Sequence, residues 1–276
     1  MRRLFVAVAA LVVACGIPPA HAQTLALNFK AGDTYGYALH FTATFAVTGT
    51  RAAITENVKV DAKAKEAAKV TNVESDGTAD ISLTFSDLSV TTTGKTSDGK
   101  TTTDTTTQTS ALPPQQLKVA PDGRIVSVNG ESVSAASPFG VLVGGELAYA
   151  VLPDSAVKPG DKWSKTYDQS QPGAQSTVHV TTNSTYLRDE SFHGANAAVV
   201  ETKSNARFTM SFAGQGTPNG TVSVLGSVDS GTTSWVDPKA RRVLKSVSKA
   251  TLKATITALE TGVTIDGTQN MDLEPA

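Results

Sequence analysis

From Tyr35 to Val47 the chain alternates without a break. Tyr35, Tyr37, Leu39, Phe41, Ala43, Phe45 and Val47 take the odd positions, and Gly36, Ala38, His40, Thr42, Thr44 and Ala46 the even ones. Successive side chains of an extended backbone point to opposite faces, so a period of two predicts a long strand buried on one side. Residues 57 to 65 repeat the alternation in the other phase, with Val58, Val60, Ala62 and Ala64 set against Asn57, Lys59, Asp61, Lys63 and Lys65. Such apolar-in, polar-out patterning belongs to antiparallel sheet with one wet face. Further strands are expected at 79–85, 117–120, 124–128, 176–182, 197–203, 206–212, 221–228, 232–236, 242–258 and 263–273. Asp76-Gly77, Asp98-Gly99, Asp122-Gly123, Asn129-Gly130 and Asn219-Gly220 punctuate them, dipeptides that adopt the positive φ angles of tight hairpins. Hairpins in series make a meander, and the fold class is read as mainly all-β.

One segment breaks the period. Ser137 fits an N-cap, Pro138 the first helical position, and Phe139 to Leu152 carries a single charge, Glu146, before Pro153. It is read as an apolar helix that forms only when packed, because Gly140, Gly144 and Gly145 each disfavour a helix by about 1 kcal/mol relative to alanine. At 14 residues between prolines it is too short for a membrane span, which needs roughly 20. The Thr-rich tract from Thr91 to Thr109 has two readings. It has almost nothing apolar to bury, which favours disorder; threonine favours strands, and Asp98-Gly99 stands where a hairpin tip belongs. The hairpin is the reading carried forward.

The chain also uses one phrase twice, Lys30-Ala31-Gly32-Asp33-Thr34-Tyr35 and Lys158-Pro159-Gly160-Asp161-Lys162-Trp163. Each Gly-Asp turn launches a strand with an aromatic residue. Each copy later closes on a charged turn, Pro121-Asp122-Gly123-Arg124 in the first and Asp237-Pro238-Lys239-Ala240-Arg241 in the second. The expected organisation is a leader over 1–22, a first β repeat over 23–130, a helical connector over 131–153 and a second β repeat over 154–276: two curved antiparallel sheet units joined by one buried apolar helix. The greasy stripes require a second layer, since ordering each residue of backbone costs about 1–2 kcal/mol and burying one large apolar side chain returns only about 1.5–3 kcal/mol. That layer is the other repeat's sheet, the helix or a bound apolar ligand. Alanines in the stripes (Ala43, Ala62, Ala64, Ala250, Ala254, Ala258) leave either a cavity or room for two layers to approach closely.

Met1-Arg2-Arg3, the apolar run Leu4 to Ala14 and the small residues of Ala20-His21-Ala22 read as an export signal cut after Ala22. Val12-Val13-Ala14-Cys15 also fits the site at which bacterial lipoproteins are cut and acylated, which would anchor an outer-membrane lipoprotein through Cys15, the single cysteine. Either way the folded part is placed outside the cytoplasm, in the periplasm or extracellular. Cleavage after Ala22 removes Arg2 and Arg3 and leaves 22 basic against 25 acidic side chains. With the basic residues scattered singly, nucleic acid is not a partner. No cysteine remains to form a disulfide, so stability must come from a core.

Little chemistry is written here. His40, His179 and His193 lack ligand spacing, so no metal is expected. No Gly-x-Ser-x-Gly elbow, Ser-x-x-Lys or phosphate loop occurs. Asp33 and Asp161 follow glycines and read as turn caps. No catalytic residue and no cofactor is assigned, and the chain is read as a non-enzyme.

The Gly-Asp-aromatic strand starts, the phrase Leu152-Pro153-Asp154 leading into Val157 to Trp163, and Trp235-Val236-Asp237-Pro238 resemble a family of secreted bacterial two-repeat β proteins. Remotely, the curved sheet with an apolar inner face is similar to periplasmic lipoprotein and lipid-carrier half-barrels. That resemblance implies an acyl chain held against the concave face. The function expected is therefore an exported envelope protein binding a lipid between curved sheet and connector helix, lined by Tyr37, Phe41, Phe45, Phe85, Phe208, Met210 and Phe212. The alternative is a structural or adhesive module that meets a partner protein through its Thr-rich hairpin.

Overall fold

Alternation in the sequence becomes alternation across the wall of one sheet. The computed structural model describes residues 22–49, 55–95, 99–109, 113–128, 149–171, 176–213, 221–258 and 261–276. The expected leader over 1–22, which includes Cys15, falls outside the described residues up to residue 21, as do residues 129–148, which hold most of the expected helix. The strands are β1 (Thr34–Gly49), β2 (Thr55–Val73), β3 (Ala79–Lys95), β4 (Thr101–Gln108), β5 (Gln115–Val119), β6 (Ile125–Val128), β7 (Lys162–Gln171), β8 (Ser176–Phe192), β9 (Ala195–Ala213), β10 (Thr221–Asp237), β11 (Arg242–Ala258) and β12 (Thr261–Pro275). No helix occurs among the described residues, and Tyr149 to Leu152, the end of the expected helix, is non-helical chain.

The twelve strands form a single sheet, ordered β2-β1-β12-β11-β10-β9-β8-β7-β6-β5-β3-β4, and β2 pairs β3 as well. The sheet therefore curls back on itself as a nearly closed barrel. The expected units are joined edge to edge, because β1 pairs β12 along Tyr37 to Gly49. β4 and β5 share one edge of β3, opposite Leu88–Lys95 and Ala79–Leu83 respectively. Between them Asp87 takes a φ of 51°. The Thr-rich tract is thus a hairpin, with every side chain from Thr101 to Thr107 exposed.

Antiparallel pairing puts the starts of β1 and β7 and the turns after β2, β5, β8 and β10 at one end, here called the base. Both Gly-Asp turns sit there and are built alike. Gly32 and Gly160 take φ of 94° and 96°, values that favour glycine because a Cβ would clash. Gly32 N–H donates to the Val70 carbonyl at 2.9 Å and Gly160 N–H to the Tyr186 carbonyl at 2.7 Å. Val70 N–H donates back to the Asp33 carbonyl at 2.9 Å, and Tyr186 N–H to the Asp161 carbonyl at 3.0 Å.

The barrel closes weakly at one seam. β6 and β7 are its parallel neighbours, meeting through the single pair Ser127 and Ser170. Side chains bridge where the ladder is missing. The buried carboxylate of Asp122, in the β5–β6 turn, accepts from Arg124 Nε at 2.6 Å and from Lys165 Nζ of β7 at 2.5 Å, and Lys165 also meets Asp154 at 2.6 Å. The Arg124 guanidinium lies 5.2 Å from the centre of the Tyr167 ring. These pairs fasten the edge that backbone hydrogen bonds leave loose.

Candidate functional site

The inward faces of the long strands enclose the barrel's interior, and register shows its composition row by row. Nearest the base, Tyr37, Glu66 and Phe85 lie side by side on β1, β2 and β3. Above them, Tyr186, Val200, Ser234, Ser246, Leu273, Leu39 and Ala64 form a row from β8 round to β2. The next two rows carry Ser184, Thr202, Thr232 and Ser248, then Thr182, Ser204, Ser230, Ala250 and Gln269. Higher again, Val180, Ala206, Val228, Leu252, Gly267 and Phe45 make an apolar row, followed by Val178, Phe208, Gly226, Ala254 and Ile265.

The base is plugged by two segments of the chain. Residues 22–29 cross it, held by a two-way bond between Gln23 and Val157 at 2.8 and 3.0 Å and by Leu27 N–H to the Pro121 carbonyl at 2.6 Å. Tyr149 to Leu152 enter the lumen, and Ala150, Val151 and Leu152 are buried. Peptide groups taken out of water need partners, and the hydroxyl rows supply them. Ala150 N–H donates to Ser234 Oγ at 2.8 Å. Val151 N–H donates to Thr202 Oγ1 at 3.0 Å, Thr202 lies 2.7 Å from Ser184 Oγ, and Ser184 donates to the Val151 carbonyl at 3.0 Å. One order of donors completes this ring: Val151 N–H to Thr202, Thr202 to Ser184, Ser184 to Val151 C=O. Two hydroxyls thus do for this residue what a neighbouring strand's amide and carbonyl would do. Trp163 Nε1 adds a second bond to the same carbonyl at 2.9 Å.

At the base a cavity of about 40 Å³ is lined by Phe29, Tyr35, Tyr37, Ala68, Tyr149 and Val243 among others. It has room for a few waters and not for an acyl chain. Tyr37 Oη donates to the Val243 carbonyl at 3.0 Å, and burial holds its phenol well above the usual range. Glu66, 8 % exposed in a stripe of Ala62, Ala64, Ala68 and Val70, has its carboxyl pushed up to about 7 by burial.

The apolar rows lie flat against the wall. Phe45 faces Gly267 directly across the β1–β12 ladder, and Phe208 faces Gly226 across β9–β10. A Cβ at Gly267 would stand 2.3 Å from the Phe45 ring, and one at Gly226 2.4 Å from the Phe208 ring. Each ring therefore covers its neighbour's backbone, an arrangement that suits a strongly curved sheet.

Of the residues expected to line a ligand, the fold brings Phe41, Phe45 and Phe208 into one apolar cluster. Phe85 belongs to a second cluster with Ile81, Leu83 and Val119, and Tyr37 lines the base cavity. The side chains of Met210 and Phe212 lie outside the described residues, although the backbone sets them opposite Val224 and Val222. Glu66, Gln269 and the hydroxyl rows are interior residues that sequence reasoning did not select. On the outer wall His40 reaches Asp61 at 3.2 Å and His179 reaches Asp168 at 2.7 Å, carboxylates supplied by the adjacent strand. His193 stacks on Phe192 at 4.4 Å. Among the described residues no three His, Cys, Asp or Glu side chains group as metal ligands, and no helix is long and apolar enough to cross a membrane. No protein-family model and no curated protein matches the chain.

Proposed function

We propose that this is an exported, non-enzymatic envelope protein of the periplasm or cell exterior whose barrel shelters an apolar molecule, a lipid or single acyl chain, in the apolar rows of its lumen. The observation that carries the reading is the pairing of Phe45 with Gly267 and of Phe208 with Gly226. Rings laid on the wall line a lumen without crossing it, and the inward positions around them (Val178, Val180, Val228, Leu252, Ala254) are all apolar. The reading moves the ligand from a sheet–helix interface to the barrel axis. It agrees with the leader expected over 1–22 and with the resemblance to periplasmic lipid carriers.

Native mass spectrometry of the purified full chain tests it. The expected result is an adduct that organic extraction removes and that n-decane or a decyl compound restores. A ligand-free mass with no uptake of any decyl compound would sink the proposal.

A second reading, an adhesive β module, has its own support in β4. Its Thr101 to Thr107 side chains are exposed and its outer edge has no strand partner among the described residues. Such edges accept an added strand from another protein. Deleting residues 96–107 should abolish capture of a partner protein while leaving the far-ultraviolet spectrum of the barrel in place. Unchanged capture would end this reading.

A further inference from the structure

Across β10 and β11 the inward hydroxyls saturate one another in pairs. Ser234 meets Ser246 at 3.1 Å and Thr232 meets Ser248 at 3.0 Å. The next rung pairs Ser230 with Ala250, and alanine has no hydroxyl to give. Ser230 Oγ is buried without a hydrogen-bond partner. On the other side of Ala250 stands Gln269 of β12, directly paired with it. Gln269 is 2 % exposed, and neither its Nε2 nor its Oε1 has a partner. Its other strand neighbour is Ala43, equally unable to bond.

Ala250 thus floors a notch with an unused hydroxyl on one side and an unused amide on the other, their strands about 10 Å apart. The notch lies on the last polar row, directly beneath the apolar row of Val228, Leu252, Gly267 and Phe45. Buried polar groups are as a rule paired, and an orphaned pair beside an apolar row is what an amphiphile's head would complete.

We propose that Ser230 and Gln269 bind the head of the lumen ligand, and that this head is uncharged and hydrogen-bonding, an alcohol or an amide at the end of an aliphatic chain. The inference rests on the lumen-ligand reading and adds the head-group class. Charge is excluded by what faces the notch. Lys165, on the notch's own row, is engaged by Asp122 and Asp154, and the two inward carboxyl positions of β2 stand off along the strand from Val60 of that row, Glu66 six residues toward the base, about 20 Å, and Glu56 four residues the other way, about 13 Å. A carboxylate or ammonium head would stand in an apolar surround without a counter-charge.

The test compares decan-1-ol, decanamide, sodium decanoate, decylammonium and n-decane on the delipidated full chain by native mass spectrometry and calorimetry. Wild type should prefer the alcohol and the amide over both ions and the alkane by tenfold or more. Gln269→Leu removes the amide, and Ala250→Ser completes the hydroxyl ladder and closes the notch. Each should reduce that preference at least fivefold and leave n-decane uptake unchanged; two variants guard against one failing to fold, which the urea midpoint reports. If both folded variants keep the wild-type preference, or if wild type binds n-decane as tightly as the alcohol, the head-group assignment is overturned and the lumen reading stands. If wild type binds none of the five, both fall.

Discussion

Two layers of one lumen, built on the same four strands, contrast sharply. On β8 to β11 the rows near the base carry Ser184, Thr202, Thr232, Ser234, Ser246 and Ser248, and a few residues further along the same strands carry Val180, Ala206, Val228 and Leu252. Backbone and curvature are continuous between them. The lower layer holds the chain's own segment Tyr149 to Leu152, whose peptide groups must be satisfied. Hydroxyls thus line the wall where polypeptide fills the barrel. Aliphatic and aromatic groups line it where an apolar content is proposed.

The contrast can be broken, beginning with the largest effect. Lys165→Met removes a cation that meets buried Asp122 beside the plug, and should destabilise the protein by about 3 kcal/mol in urea unfolding; a loss below about 0.5 kcal/mol would mean the seam does not depend on it. Glu66→Gln removes a carboxyl whose value is raised by burial to about 7 from 4.5. In wild type that group imposes nothing below pH 4.5, where both folded and unfolded states are protonated. Stability falls as pH rises from 4.5 to about 7 and is level above. The variant should therefore match wild type at pH 4 and exceed it by about 3 kcal/mol at pH 8. Equal stability at both pH values would show that the carboxylate is solvated.

Smaller changes sharpen the picture. Gly226→Ala places a Cβ 2.4 Å from the Phe208 ring and 2.7 Å from the Lys253 carbonyl. It should cost about 2 kcal/mol and turn the ring off the wall, reducing decyl-chain uptake. Thr202→Val keeps the shape but leaves Val151 N–H without its acceptor, for a loss of about 1–2 kcal/mol. In the apolar layer Val228→Thr buries an unneeded hydroxyl at a comparable loss. If Thr202→Val proved neutral, the hydroxyl rows would not be there for the peptide.

β11 is legible because its outer face is charged. In β11 the inward Leu244, Ser246, Ser248, Ala250, Leu252 and Ala254 interleave with Lys245, Lys249 and Lys253, so the charge-free phase marks the interior even where it is not apolar. Reading only for hydrophobicity missed the hydroxyl rows for that reason. The alternation over 57–65 covers only part of β2, which runs from Thr55 to Val73 and carries the Glu66 carboxyl inward. Gly226 and Gly267 carry no local sign of their role. Their partners Phe208 and Phe45 are 18 and 222 residues away, and become visible only when the ladders are known. The closure of two expected units into one sheet was equally hidden, since nothing local in β12 names β1 as its neighbour.

That last contact governs how the molecule can be made. β1 lies between β2 and β12, so it gains its second neighbour only after all the strands from β2 to β12 have been made. Until then β1 and β11 each present a bare flank to any other unfinished chain, and ladders that span so much sequence form slowly. Yield should accordingly fall with crowding of nascent copies rather than with any defect in the finished barrel.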